Sequence, residues 1–251
     1  MLYILYGFLG WMIGAFVNYL SDVLPAQRKL TKPFCTYCNQ EYSLWNYLIY
    51  PRRCSNCNRK RPLRVWVIEI IYLGISLWLY HTPNVLFGYW GSLVLLAYFG
   101  VVVIIDMEHR LILHPVSLTG VAIGAILGTI LHGISNTVLG GAAGFLIMLA
   151  LYFLGGIFAK FIAKLRGEEL NEVALGFGDV NLAGIIGLLL GWPGILGGLF
   201  LAILIGGFVS LAVMVVLVIK KRYQLFTALP YGPYLVVSAI FLLYFRGIFL
   251  S

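Results

Sequence analysis

Residues 172–192 read EVALGFGDVNLAGIIGLLLGW. After Asp179 only apolar and small residues follow as far as Trp192, apart from Asn181. Such a run can enter a bilayer as a helix, and Asp179 is then a carboxylate where a carboxylate is expensive. Whether the run lies in a membrane is decided by the whole chain. Of its 251 residues 61% are hydrophobic and only 10% charged, whereas a soluble domain is nearer half apolar and about a quarter charged. Most of this chain must be solvated by lipid.

Apolar runs recur near 2–24, 65–81, 85–106, 115–132, 137–159, 173–192, 194–219 and 228–245. Each approaches the roughly 20 helical residues needed to cross about 30 Å of hydrocarbon. They are continuously apolar rather than alternating, which excludes a membrane barrel. The predicted fold is an all-α polytopic membrane protein with about eight transmembrane helices and one long polar loop. It divides into a first transmembrane helix (1–25), that loop (26–64) and a helical core (65–251).

With the N-terminus outside, sixteen of the seventeen Lys and Arg fall in the inside segments 25–64, 106–114, 160–172 and 220–227, leaving only Arg246 outside. The positive-inside rule expects that asymmetry. Topology and contact with anionic membrane lipid therefore account for the net charge of +8, and no nucleic-acid partner is called for. The first run lacks the basic start and small-residue cleavage site of a signal peptide and reads as a retained helix. Nothing in the sequence fixes an oligomeric state.

The long inside loop holds all four cysteines. Cys35 and Cys38 form one C-x-x-C and Cys54 and Cys57 another, with fifteen residues between them. This is the spacing of a four-thiolate structural zinc cage, which leaves no position open for water. The loop is too short and polar to build its own core, so metal binding would supply much of its folding free energy. Two disulfides are the alternative, disfavoured by a cytosolic location. Iron would also fit such a cage, but closed structural cages of this kind are mostly zinc sites.

The chain has three aspartates. Asp22, at the end of the first run, reads as an interface residue near a helix end. Asp106 follows LVLLAYFGVVVIID at the cytosolic end of the third run. Asp179 falls roughly six residues, about 9 Å, inside its own run. The two are 73 positions apart, yet the threading carries both towards one membrane face. Two carboxyl groups brought within a few ångströms share a proton. Such a pair can hold a water, one acid serving as general base while its protonated partner polarises a peptide carbonyl. Gly176 and Gly178 remove side chains beside Asp179, which would loosen the helix start and admit an extended substrate backbone.

Gly120, Gly124 and Gly128, like Gly140 and Gly144, are spaced by four and read as helix-packing faces. Glu69 lies inside the second run as a supporting site or structural acid. Glu108, His109 and His114 neighbour Asp106 and either tune it or are simply solvated. No serine or cysteine has the surroundings of an activated nucleophile.

In these features the chain resembles the type IV prepilin peptidases, bacterial inner-membrane enzymes of the GxGD aspartic protease class. GAFVNYLSDVLP (14–25) is similar to the family's opening segment, and the paired C-x-x-C to its cytosolic zinc loop. VIEI around Glu69 resembles the start of its second helix. IDMEHRLILHP carries Asp106, GFGDVNL carries Asp179, and LPYGPYL (229–235) resembles a late family segment. The resemblance implies a catalytic pair, Asp106 and Asp179, that cuts the leader from type IV prepilin or pseudopilin precursors at the cytosolic face of the bacterial cytoplasmic membrane. It also implies N-methylation of the new terminus with S-adenosylmethionine. Asn181 departs from the family, which usually has lysine there, and would alter proton sharing or a substrate contact. The spacing to Pro115 is slightly offset as well.

Two other readings compete. Buried acids also mark proton- or cation-coupled transporters, but these predict midplane acids and a repeated helix pattern, and no clear internal repeat is present. A non-catalytic scaffold presenting a zinc module would tolerate substitution of the aspartates but not of the cysteines.

Overall fold

The computed structural model describes residues 1–35, 37–49, 52–83, 86–166, 176–220 and 230–245. Its elements are α1 (Leu2–Gln27), α2 (Leu44–Leu48), α3 (Arg64–His81), α4 (Gly88–His109), α5 (His114–Arg166), α6 (Phe177–Leu190), α7 (Gly194–Ile219) and α8 (Gly232–Tyr244). Among the described residues the only strand-like pairings are two isolated bridges, Phe34 with Glu41 and Arg53 with Lys60. The protein is all-helical. Among the described residues, four helices are long and apolar enough to cross a membrane: α1, α4, residues 114–158 of α5, and α7. Helices α6 and α8 are apolar but shorter. The expected runs 173–192 and 228–245 begin outside the described residues, as do the basic side chains at 221, 222 and 246.

The chain forms two compact units, Met1–Ile105 and Asp106–Ser251. In the first unit α3 packs on α1. The reason lies in two glycines of α1. A Cβ added at Gly10 would stand 2.5 Å from the Tyr72 carbonyl oxygen, and one at Gly14 would stand 2.8 Å from the Glu69 Cα. The two backbones touch, and no larger residue fits between them. Tyr72 then reaches α4, donating its hydroxyl to the Leu96 carbonyl at 2.7 Å.

Helix α1 runs through Pro25 rather than ending there. A proline removes one bond and crowds the preceding turn, but only two residues follow it. The helix stops at Arg28, whose left-handed backbone (φ 54°) donates its N–H to Leu24 at 2.9 Å.

In the second unit the runs expected at 115–132 and 137–159 form one helical stretch, α5, broken at Gly133 (φ 76°, ψ 164°). Only glycine adopts that conformation cheaply. Both arms pack on α6. Gly140 and Gly187 meet backbone to backbone, Gly144 abuts the Ala183 carbonyl, and Gly128 abuts that of Leu188. The four-residue glycine spacings at 124–128 and 140–144 are thus contact faces for α6. Helices α7 and α8 complete this unit, α8 touching both α7 and α6.

Candidate active site and thiol cluster

The four cysteines of the first unit converge. Their sulfurs all lie within 4.8 Å of one another, with Cys35 to Cys57 at 3.6 Å and Cys38 to Cys54 at 3.5 Å. A tetrahedral zinc with bonds of about 2.3 Å holds its sulfurs about 3.8 Å apart, so the cluster is close to the size of that cage. All four are free thiols.

Two matching turns build the cluster. The Cys35 N–H donates to Gln40 at 2.8 Å and the Asn39 N–H to Cys35 at 2.8 Å. Cys54 and Asn58 repeat the pattern at 3.0 and 2.9 Å. Each turn closes on an asparagine with positive φ, Asn39 (55°) and Asn58 (53°), a residue that tolerates the left-handed region. Burial opposes ionisation of Cys35, yet the Tyr37 and Cys38 N–H groups and the nearby thiols lower its pKa to about 6. At Cys57 the Arg59 N–H acts downwards, but desolvation and the other three thiols push it up to about 11. Four thiolates in this space call for a cation, and the donor set fits zinc.

Three acids of the first unit have structural partners here. Asp22, near the end of α1, is the hub of the loop. It accepts from Tyr47 (2.8 Å), from Arg61 (2.6 Å) and from Arg64. Tyr47 lies on α2, a short helix between the cysteine pairs that the sequence did not announce, and is buried. Glu69 is buried and accepts from Arg52 of the loop at 2.8 Å and from Trp11 of α1 at 2.9 Å. The Arg52 guanidinium also stacks on Trp66, 4.0 Å from the ring centre. Glu69 therefore ties loop, α1 and α3 together, as a structural acid. Glu41, in the loop, pairs with Lys32 at 3.3 Å on the surface.

The second unit gathers the other two aspartates. Asp106 lies in the last turn of α4, 5% exposed, and Asp179 in the first turn of α6, 7% exposed. Their carboxyl groups are within electrostatic reach of each other. Asp179 is the third residue of α6, not six residues inside it. Its N–H donates to the Gly176 carbonyl (3.0 Å), and its Oδ2 accepts the Gly176 N–H in return (3.1 Å). This reciprocal cap satisfies donors the helix start would otherwise leave free.

Asp106 Oδ2 accepts the backbone N–H of Gly232, the first residue of α8, at 3.1 Å. Pro233 follows in that first turn, where its missing N–H costs nothing. A Cβ at Gly232 would stand 2.6 Å from Asp106 Oδ2. Tyr231, just before it, has its phenol within electrostatic reach of Asp179. Neither Tyr231 nor Gly232 was singled out as a site residue in the sequence, although both lie in the quoted LPYGPYL. The available signal was Gly-Pro at a helix start.

Gly176 and Gly178 differ. Among the described residues, a Cβ at Gly176 would meet nothing nearer than Asp179 Oδ2 at 3.5 Å. A Cβ at Gly178 would stand 2.9 Å from that of Ile112, so this glycine lets the chain after α4 pass close. Asn181 is two residues beyond Asp179, about 200° around the helix. It lines a groove against α5 with His114, Ser117 and Phe177, while Leu182 lies towards Gly232 and the acid pair.

These features define a polytopic helical membrane protein with a paired-acid centre at its helix ends and a four-thiol loop. The model of the "Type IV leader peptidase family" matches residues 93–211, and that of the "Bacterial Peptidase A24 N-terminal domain" matches residues 8–82. Together they cover more than half the chain, which belongs to the type IV leader peptidase family. Similar relatives are prepilin leader peptidase/N-methyltransferases. That of Aeromonas hydrophila is 25% identical over 86% of this chain and 72% of its own length. That of Pectobacterium carotovorum subsp. carotovorum is 26% identical over 85% and 74%. That of Burkholderia pseudomallei (strain 1026b) is 28% identical over 90% and 71%. No solved structure matches.

Proposed function

We propose that this chain is an aspartic endopeptidase that removes the leader of type IV prepilins and pseudopilins. In this reading Asp106 and Asp179 are the catalytic pair. What supports it is that two buried carboxyl groups from distant segments lie within electrostatic reach of each other at helix ends, one held by Gly232 and the other by Gly176. The names of the relatives supply the substrate class.

The pair holds one proton between its members. The ionised acid takes a proton from a bound water, the protonated acid donates a hydrogen bond to the scissile carbonyl, and water adds to the carbonyl carbon. The resulting diol collapses as the leaving nitrogen takes up a proton. No covalent intermediate forms. An extended substrate backbone approaches Asp179 past Gly176, where an added Cβ would meet no described residue nearer than Asp179 itself. About eight crossings, with the loop and the acids at the cytosolic face of the bacterial inner membrane, agree with the distribution of basic residues. The zinc held by Cys35, Cys38, Cys54 and Cys57 is structural.

The test is leader removal from a pilin precursor by membranes carrying wild type, Asp106→Asn or Asp179→Asn. Both variants should abolish cleavage, and full-rate cleavage by either one rejects the mechanism. The relatives' names also support a second reaction, N-methylation of the exposed terminus, with S-adenosylmethionine as methyl donor. Mass spectrometry of the processed product with the donor present reads cleavage site and methylation together. An unmodified terminus at full cleavage would confine this chain to proteolysis.

A further inference from the structure

Two of the donors beside the acid pair are already committed. The Gly232 N–H is given to Asp106 and the Gly176 N–H to Asp179. Tyr231 brings a donor that is not. It immediately precedes Gly232 at the start of α8, and its phenol lies within electrostatic reach of Asp179. Residue 231 thus adjoins both acids, one through the main chain and the other through the side chain. Tyr231 is half-buried, and its hydroxyl makes no hydrogen bond to any described residue.

The ring, by contrast, is held. A Cβ added at Gly206 of α7 would stand 3.4 Å from Tyr231 Cε2 and 3.2 Å from Tyr234 Cδ2, so the missing side chain there makes room for both rings. Tyr231 and Tyr234 meet edge to face, their centres 6.1 Å apart at 76°, an arrangement that aromatic quadrupoles favour. A phenylalanine would pack in the same way. The fold accounts for the ring and leaves the hydroxyl without a task.

The chemistry of the pair supplies one. As water adds, the scissile carbonyl oxygen gains negative charge, and the protonated acid gives it one hydrogen bond. That oxygen can accept a second. The second donor must keep its proton while the acids exchange theirs, which a phenol with an ordinary pKa of about 10 does. A donor aimed at developing charge, and not at the bound ground state, raises kcat.

We propose that the Tyr231 hydroxyl is a third catalytic group, donating a hydrogen bond to the scissile carbonyl oxygen as it becomes a diol oxygen. The phenol keeps its proton throughout, and the acids carry out the proton transfers. The inference rests on Asp106 and Asp179 being the catalytic pair.

The test is steady-state cleavage of a pilin precursor in mixed micelles by wild type, Tyr231→Phe, Tyr234→Phe and Asp106→Asn. Tyr231→Phe should lower kcat about 100- to 1000-fold, the loss of one such donor, with KM within about twofold of wild type. Tyr234→Phe, the same deletion on the neighbouring ring, should cleave like wild type. With Asp106→Asn inactive, a wild-type kcat in Tyr231→Phe, or a loss confined to KM, overturns the proposal and leaves the acid pair standing. Equal losses in the two tyrosine variants mark a packing effect and overturn it as well. Cleavage by Asp106→Asn rejects the pair, and this inference with it. Should Tyr231→Phe fail to fold, Tyr231→para-fluorophenylalanine fills the same volume without a donor. It should show the same loss in kcat, and a wild-type kcat there overturns the proposal.

Discussion

Gly232→Ala is the sharpest probe of the acid pair. The added methyl would stand 2.6 Å from Asp106 Oδ2 and 3.2 Å from its carboxyl carbon. An ordinary carbon–oxygen contact is about 3.3 Å or more, so methyl and carboxylate must separate by roughly 0.7 Å. Leu182 stands 3.5 Å from the same point and limits the escape of α8, so Asp106 is the partner that turns. Turning it stretches the hydrogen bond from the Gly232 N–H, itself worth about 1.5–3 kcal/mol to a charged acceptor, and pushes the side chain off its rotamer at about 0.5–1.5 kcal/mol. Misplacing a catalytic group by about 1 Å costs up to about 100-fold in rate. We expect kcat/KM for leader removal to fall about 10- to 100-fold, about 1.4–2.7 kcal/mol, with the protein still folded. The assay follows the mass of a pilin precursor over time in mixed micelles. Gly74→Ala, at a position where an added Cβ meets nothing within 4 Å, serves as control and Asp106→Asn as the fully inactive reference. Wild-type cleavage by folded Gly232→Ala would show that Asp106 does not act from the position its hydrogen bond gives it.

Purified protein should carry about one zinc per chain by elemental analysis, and Cys54→Ser should lose it. A stoichiometry near zero in folded wild type removes the metal from the loop. Arg52→Ala leaves Glu69 buried without its cation and should destabilise the first unit by about 3–5 kcal/mol, read as a lower midpoint of heat-induced loss of monodisperse protein. The double replacement Arg52→Met with Glu69→Leu should recover most of that loss, and an unchanged midpoint in Arg52→Ala refutes the pairing. On α1, Gly14→Ala meets the Glu69 Cα at 2.8 Å, while Gly7→Ala meets nothing. The first should cost about 1–3 kcal/mol and the second should leave the midpoint in place.

Composition and periodicity carried the helices, because hydrocarbon demands continuous apolar runs and charged loops cannot hide in it. The cysteine cluster was equally legible, since two C-x-x-C turns can meet in few ways. What the sequence misjudged depends on local chain direction. Asp179 counts as buried inside an apolar run, but α6 starts only at Phe177, so the acid caps the helix instead. Pro25 looked like an end and is not one. The loop between residues 132 and 137 is a single glycine break. Asn181, two positions from Asp179, looked like a neighbour of the acid pair until helical pitch placed it on the far face. The contacts that fix the acids were the least visible. Gly232 reaches Asp106 across 126 positions, and nothing local in either segment announces the meeting. Glu69 reads as a supporting or structural acid inside its run, but its cation comes from the loop, 17 positions earlier.

The glycine crossing of Gly140 and Gly187 lies eight residues along α6 from Asp179, about 12 Å at helical rise. A crossing that leaves no room to slide thus fixes Asp179 along the axis of α6 relative to the arms of α5. A thinner or thicker bilayer would tilt α6 together with the arms of α5, as helices do under mismatch, and Asp179 would ride with them.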